Sequence, residues 1–315
     1  MKKIRFALIA MIAGLMFFGA CKQDNKKDGK SSNSIPNTSQ IEQFNEQDFF
    51  ANIDQSKVNE INDIIAGFAS PVEMAAMLKD NHVPFSKKYL TPTSVVDNYD
   101  LNLKKALGLG IFSADLGYLN IYHKNDQIVD YLQAIFRLAS DLQVAQFFDF
   151  QTLKYLVTTS DNLDSLLFLS VNSFYQIDNY FRATRRSYLS LLAVTGVWVE
   201  SLYLLTAVAN DNPYVDLRNQ IGSQKELLNK LVSLLEVYEG HPKFDYLIKE
   251  FKKLQKAYEP VKITEKQLEG NNREVVDGRV VYTQDVESVI EIDEETMKNI
   301  IQTTEEVRNA VINIP

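Results

Sequence analysis

The chain has 315 residues, a formal net charge of −8 at pH 7, 45% hydrophobic and 11% aromatic residues, and one cysteine. A single thiol excludes internal disulfides, and the negative balance argues against phosphate backbones and anionic lipid headgroups as partners. The apolar content is that of a globular domain with a sizeable core.

Lys2, Lys3 and Arg5 make a basic start, the run from Phe6 to Phe18 carries no charge, and Gly19-Ala20-Cys21 follows. A charged stretch, an apolar stretch and small residues at a cleavage point are the layout of an export signal. The apolar run is shorter than the ~20 residues of a spanning helix. Residues 1–20 therefore read as a signal peptide. Its removal takes away three positive charges and no negative ones, moving the net charge from −8 to −11.

Gly19-Ala20-Cys21 resembles the lipobox of bacterial lipoproteins, with Phe18 where that family usually has an aliphatic residue. The resemblance implies that Cys21 is lipidated by palmitate-type acyl chains and becomes the first mature residue. Two or three acyl chains hold a protein stably at a bilayer, whereas one holds it marginally. In the best-known lipoproteins an Asp after the cysteine retains the protein in the inner membrane. Lys22 stands there in this chain, so the resemblance implies the outer membrane, in either leaflet. Residues 21–40, polar and rich in Lys, Asn and Ser, read as a flexible tether.

A folded region is expected from residue 41. Ile53, Val58, Ile61, Ile64, Ile65 and Phe68 suggest a first helix. Ser70-Pro71-Val72-Glu73 combines an N-cap, a first-position proline and a capping-box glutamate, and predicts a second helix over 71–80. Thr93 or Ser94 can cap a helix through Leu101, Leu103 and Leu107, which Gly108 and Gly110 interrupt or weaken. Helical spacing resumes over 111–122 and again from Asn125 to Leu142, followed by a short helix around 150–158. Asp161 caps a stripe from Leu163 to Phe181.

Residues 184–209 are apolar on all sides, which predicts a buried or spanning helix. Glu200 argues against spanning, because an ionised group at mid-membrane is costly. This segment is expected to be the central helix. Asn212-Pro213 restarts a helix whose Leu227–Tyr238 stripe stops at Gly240. Pro242 opens a cleanly amphipathic helix that Pro260 closes. Val275–Tyr282 reads as a β-hairpin on the Asp277-Gly278 turn, and a last helix is expected over 294–312. No fixed-period repeat is visible.

Ser70–Lys79, Val83-Pro84-Phe85, Lys105–Tyr118 and Gly196–Tyr203 resemble a group of helical Bacteroidota proteins without assigned activity. The likeness covers most of 55–260 and implies a helical envelope protein, with no ligand or reaction.

Catalytic patterns are sparse. His82, His123 and His241 are far apart, so zinc spacing cannot be built locally. Asp24–Gly29 resembles a calcium loop only loosely. No Gly-x-Ser-x-Gly is present. Gly108-Leu109-Gly110 lacks the strand and third glycine of a dinucleotide loop, and is better read as a close approach of two helices. No metal or cofactor is expected.

The best candidates for more than packing are Asp115 and Glu200, which interrupt apolar helical stretches. A carboxylate buried alone costs several kcal/mol or takes up a proton, so each needs a donor. Tyr118 and Tyr203 lie three residues on, and Arg182, Arg185 and Arg186 precede the central helix. These seven residues are expected to form either a structural network or a polar pocket between helices. Tyr89, Tyr99 and Tyr214 fall in loops or helix starts and are the tyrosines best placed for ligand stacking.

The expected fold is all-α: nine to eleven helices in an irregular antiparallel bundle, with an α-solenoid as the alternative. Residues 41–260 form its helical domain, on which the hairpin and last helix of 261–315 pack. The expected function is a non-enzymatic, lipid-anchored binding or scaffold component of an envelope complex with a protein partner. The alternatives are a nutrient-capture lipoprotein and an enzyme using buried carboxylates.

Overall fold

Ten α-helices and one β-hairpin follow one another in the residues that the computed structural model describes, which are 45–53, 82–159, 163–213, 217–276 and 279–315. The expected signal, Cys21, the tether, the helices over 53–68 (beyond Ile53) and 71–80, the Asp161 cap, Tyr214 and the Asp277-Gly278 turn lie outside them. The helices are α1 (Glu46–Ala51), α2 (Asn102–Ile121), α3 (Asn125–Asp141), α4 (Phe150–Thr159), α5 (Leu163–Ala183), α6 (Ser187–Asp211), α7 (Arg218–Gly222), α8 (Gln224–Glu236) and α9 (Pro242–Tyr258). The hairpin strands β1 (Lys262–Val276) and β2 (Arg279–Glu291) precede α10 (Glu294–Ile312). The fold is all-α, with helices packed as a bundle.

The all-round apolar character of 184–209 has a direct outcome. Helix α6 is the axis of the core, and α2, α5, α8 and α10 pack against it. It is long and apolar enough to cross a bilayer by length and composition, yet 83% of that apolar window is buried inside the fold. In a solenoid each helix pair touches only its neighbours. Here α6 touches elements from both ends of the described chain.

Gly108 and Gly110 do not interrupt α2, which is continuous from Asn102 to Ile121. They serve close approach instead. A Cβ on Gly110 would lie 2.0 Å from the Ala193 carbonyl oxygen, and one on Gly196 would lie 2.1 Å from the Leu107 carbonyl oxygen. The backbones of α2 and α6 are thus in mutual contact, which only glycine permits at these two positions. The helix expected after Pro92 begins later. Thr93–Asn98 is a separate 3₁₀ turn, and α2 starts at Asn102.

Three helices end on a left-handed residue that is not glycine: His123 (φ 52°), Gln143 (φ 63°) and Arg185 (φ 58°). In each case the next amide reaches back to close the turn, Lys124 to Leu119 (3.0 Å), Val144 to Ala139 (2.8 Å) and Arg186 to Phe181 (2.6 Å). This is the Schellman arrangement, and it turns the chain sharply into the following helix.

The hairpin is longer than the predicted 275–282. Strand pairing runs from Lys262 opposite Glu291 to Val276 opposite Arg279, with an irregularity between Gln267 and Asn271. The charged and polar residues of 262–274 hid the strand, because they leave no period-2 apolar pattern. Opposite charges across the strands, such as Lys262 and Glu291, support the pairing. At its root Ile290 and Ile292 pack on Gly222, and Val261 is buried. Helix α10 then returns to the core against α9, α6 and α2. Asp293 caps it, accepting the Thr296 N–H at 2.7 Å.

Gly196→Ala is expected to lower unfolding stability by about 3 kcal/mol, at the upper end for overpacking, because backbone rather than a flexible side chain blocks the methyl. Arg185→Gly is expected to raise it by about 1 kcal/mol, relieving a left-handed non-glycine residue. Urea unfolding of the two variants checks both.

Candidate functional site

The chain between the two 3₁₀ turns, Leu90-Thr91-Pro92, is extended, with Leu90 and Thr91 buried. A buried extended segment brings backbone N–H and C=O groups that no helix satisfies. Thr91, with no exposure, is where those groups are met. Its N–H donates to Asp115 Oδ2 (3.0 Å), and its carbonyl accepts from the Tyr131 hydroxyl (2.7 Å). Its own hydroxyl donates to Glu200 Oε1 (3.2 Å) and accepts from Arg308 Nη2 (2.6 Å).

Arg308 completes the cluster from α10. It grips Glu200 with both ends of its fork, Nε to Oε2 at 2.9 Å and Nη2 to Oε1 at 2.8 Å. Bidentate charge-assisted pairs of this kind are the strongest hydrogen-bonded contacts available to side chains. The Tyr203 ring closes the other side, with the guanidinium carbon 4.4 Å from its centroid. Asp115 and Glu200 are 0% exposed and Arg308 is 8% exposed. Tyr99 sits nearby with its ring against Gly108, where a Cβ would come within 2.3 Å of Tyr99 Cε2.

The surroundings of Asp115 favour its protonated form. No donor among the described residues reaches its Oδ1, and Glu200 is its charged neighbour. Two carboxyl groups side by side in a dry interior favour keeping one proton between them. Burial, and then the charge of Glu200, push the Asp115 carboxyl well above the usual carboxylate range. Burial opposes the charge on Arg308, but Glu200 more than offsets this and its pKa is raised. One proton, one carboxylate and one guanidinium leave the cluster neutral. Burial also raises Tyr99 and Tyr131 above the ordinary phenol range.

The seven residues expected to meet do so only in part. Asp115, Glu200 and Tyr203 are together. Tyr118 is buried but faces another way, accepting the Ser86 N–H at 3.0 Å, and burial pushes its hydroxyl up to about 12. The three arginines near the start of α6 do not supply the cation. Arg182 pairs with Asp178 one turn back (2.6 Å). Arg185 occupies the left-handed turn, and Arg186 donates to the Leu142 carbonyl (3.3 Å) and lies over Tyr180 and Phe181. Adjacency in sequence suggested them, but Arg182 and Arg185 serve the end of α5 and the turn after it, and Arg186 reaches the end of α3. Tyr89 and Tyr99 are buried, so neither offers a stacking face.

Arg308, Thr91 and Tyr131 were not among the expected residues. Arg308 did leave a signal. Ile300, Thr304, Val307 and Val311 mark the buried stripe of α10, and Arg308 falls on it. A cation on an apolar stripe needs a buried anion.

Chemically the cluster can hold a proton and clamp five segments: the stretch at Thr91, α2, α3, α6 and α10. It makes a poor cation site, since Arg308 already occupies the position facing the carboxylates. Among the described residues no group of three or more His, Cys, Asp or Glu side chains is placed to hold a metal. Comparison with family models, curated proteins and solved structures gives no match to this chain.

Arg308→Met is expected to cost about 3–5 kcal/mol of unfolding stability, because it strands Glu200 in the interior. Adding Glu200→Gln to that variant is expected to restore part of the loss. A double-mutant cycle by chemical denaturation measures the coupling.

Proposed function

We propose that this protein is an exported lipoprotein, held at the outer membrane by acyl chains on Cys21, whose helical body is a binding or scaffold component of the cell envelope. The basic start, the uncharged run to Phe18 and Gly19-Ala20-Cys21 support the address, and residues 21–40 supply the tether. The observation that carries the non-catalytic reading is the enclosure of Asp115 and Glu200. The two groups best suited to acid–base chemistry are wholly buried and engaged with Thr91 and Arg308. Groups held in this way fix helices relative to one another and offer nothing to a substrate in solution.

Small-ligand capture has one observation in its favour. Phe136, Tyr155 and Tyr175 are exposed (51%, 63% and 42%) on the successive helices α3, α4 and α5. A partner protein uses such aromatic residues equally well, since aromatics are enriched at interface cores.

Detergent phase partition and mass spectrometry of the N-terminal peptide test the anchor. The expected result is a detergent-phase protein with acyl mass on Cys21, and an aqueous-phase protein for Cys21→Ser. An unacylated, freely soluble mature protein overturns the address. In-cell cross-linking tests the scaffold role, with a complex of fixed stoichiometry expected and a monomer overturning it.

A further inference from the structure

The buried cluster sets two carboxyl groups against one guanidinium, so it is balanced only while the pair carries a proton. The groups facing Asp115 come from every element around it: Glu200 and Tyr203 from α6, Arg308 from α10, Tyr131 from α3, and Thr91 and Tyr99 from the segment before α2. Glu305 of α10 and Asp130 of α3 lie further out, acting on Tyr203 and Tyr131. Within this set Arg308 is the only cation.

The members are not equally fixed. Asp115 and Glu200 stand on helices whose backbones touch at Gly110 and Gly196. Arg308 stands on α10, an amphipathic helix whose outer face is exposed and whose inner face rests on α6, α9 and α2. If both carboxyls ionise, one negative charge is left uncompensated in a dry interior, which is strongly unfavourable. The movement that admits water to all of them is separation of α10 from α6.

We propose that the Asp115–Glu200 pair is a one-proton latch on the C-terminal helix, keeping α10 docked while it holds its proton and releasing α10 when the proton leaves. This rests on the geometry of the cluster and not on the anchor at Cys21, so each stands or falls alone. The direction is set by linkage. Asp115 binds its proton more tightly in the docked state than in a hydrated one, so docking is strongest in acid and weakens as pH rises through the docked-state value. This is opposite to the usual behaviour of paired carboxylates, which lose stability as pH falls.

Hydrogen exchange of the full chain, read by peptide mass from about pH 5 to about pH 9 and corrected for the intrinsic rate, tests the latch. Protection of residues 294–312 is expected to fall by up to about tenfold per pH unit between the hydrated-state and docked-state titrations of Asp115 and to level off above the latter, while that of 187–211 stays constant. Asp115→Asn imitates the protonated acid, donating to Glu200 and accepting from Thr91, and is expected to flatten the profile. Glu200→Gln leaves one carboxyl for Arg308 and is expected to flatten it as well, which keeps the test open if the first variant folds poorly. Uniform protection of α10 across the range overturns the proposal. So does a loss shared equally by α10 and α6, or a slope that persists in both variants.

Discussion

The contact between Gly110 on α2 and Gly196 on α6 is the constraint around which the rest is arranged. With no side chain on either glycine, each backbone seats against a carbonyl of the other helix. Asp115 lies five residues beyond Gly110, and Glu200 four beyond Gly196, about one helical turn in each case. The crossing that brings the two backbones together therefore brings the two carboxyl groups together. Any residue larger than glycine at the crossing would separate the helices and pull the pair apart.

Once the carboxyls are adjacent and dry, the surroundings follow from electrostatics. A lone pair of acids in an apolar interior retains a proton, and the remaining charge needs a cation. Arg308 supplies it, and Thr91 bonds to all three side chains. The extended stretch at Leu90-Thr91-Pro92 gains in turn, since its buried N–H and C=O would otherwise lack partners. A buried ion pair is weak evidence of net stability, because well-packed apolar residues can replace one without loss. Its value here lies in specificity. It admits one placement of α10 and one path for the segment before α2.

Much of this fold was legible in the sequence because helix signals are local. The apolar run over 184–209, the Pro242 start and the apolar spacing over 294–312 each declared an element within a few residues of its observed limits. The oddity of Asp115 and Glu200 was also legible, since a carboxylate in an apolar helix stands out by contrast. Their partner was not. Arg182, Arg185 and Arg186 were near in sequence, whereas Arg308 lies 108 residues from Glu200 and 217 from Thr91. The hairpin was under-read for a related reason. Its first strand is dense in charged and polar residues, so the sequence shows no clean alternation of apolar and polar positions.

The distance along the chain between the two carboxyls and their cation has a consequence for the order of folding. Helices α2 and α6 can meet as soon as both exist, but sealing them dry with Arg308 still unplaced would trap an unmatched anion. Early compact forms must therefore keep that seam wet until the last helix arrives. Completion of the core is thus expected to wait on residues 294–312, through contacts of high sequence separation.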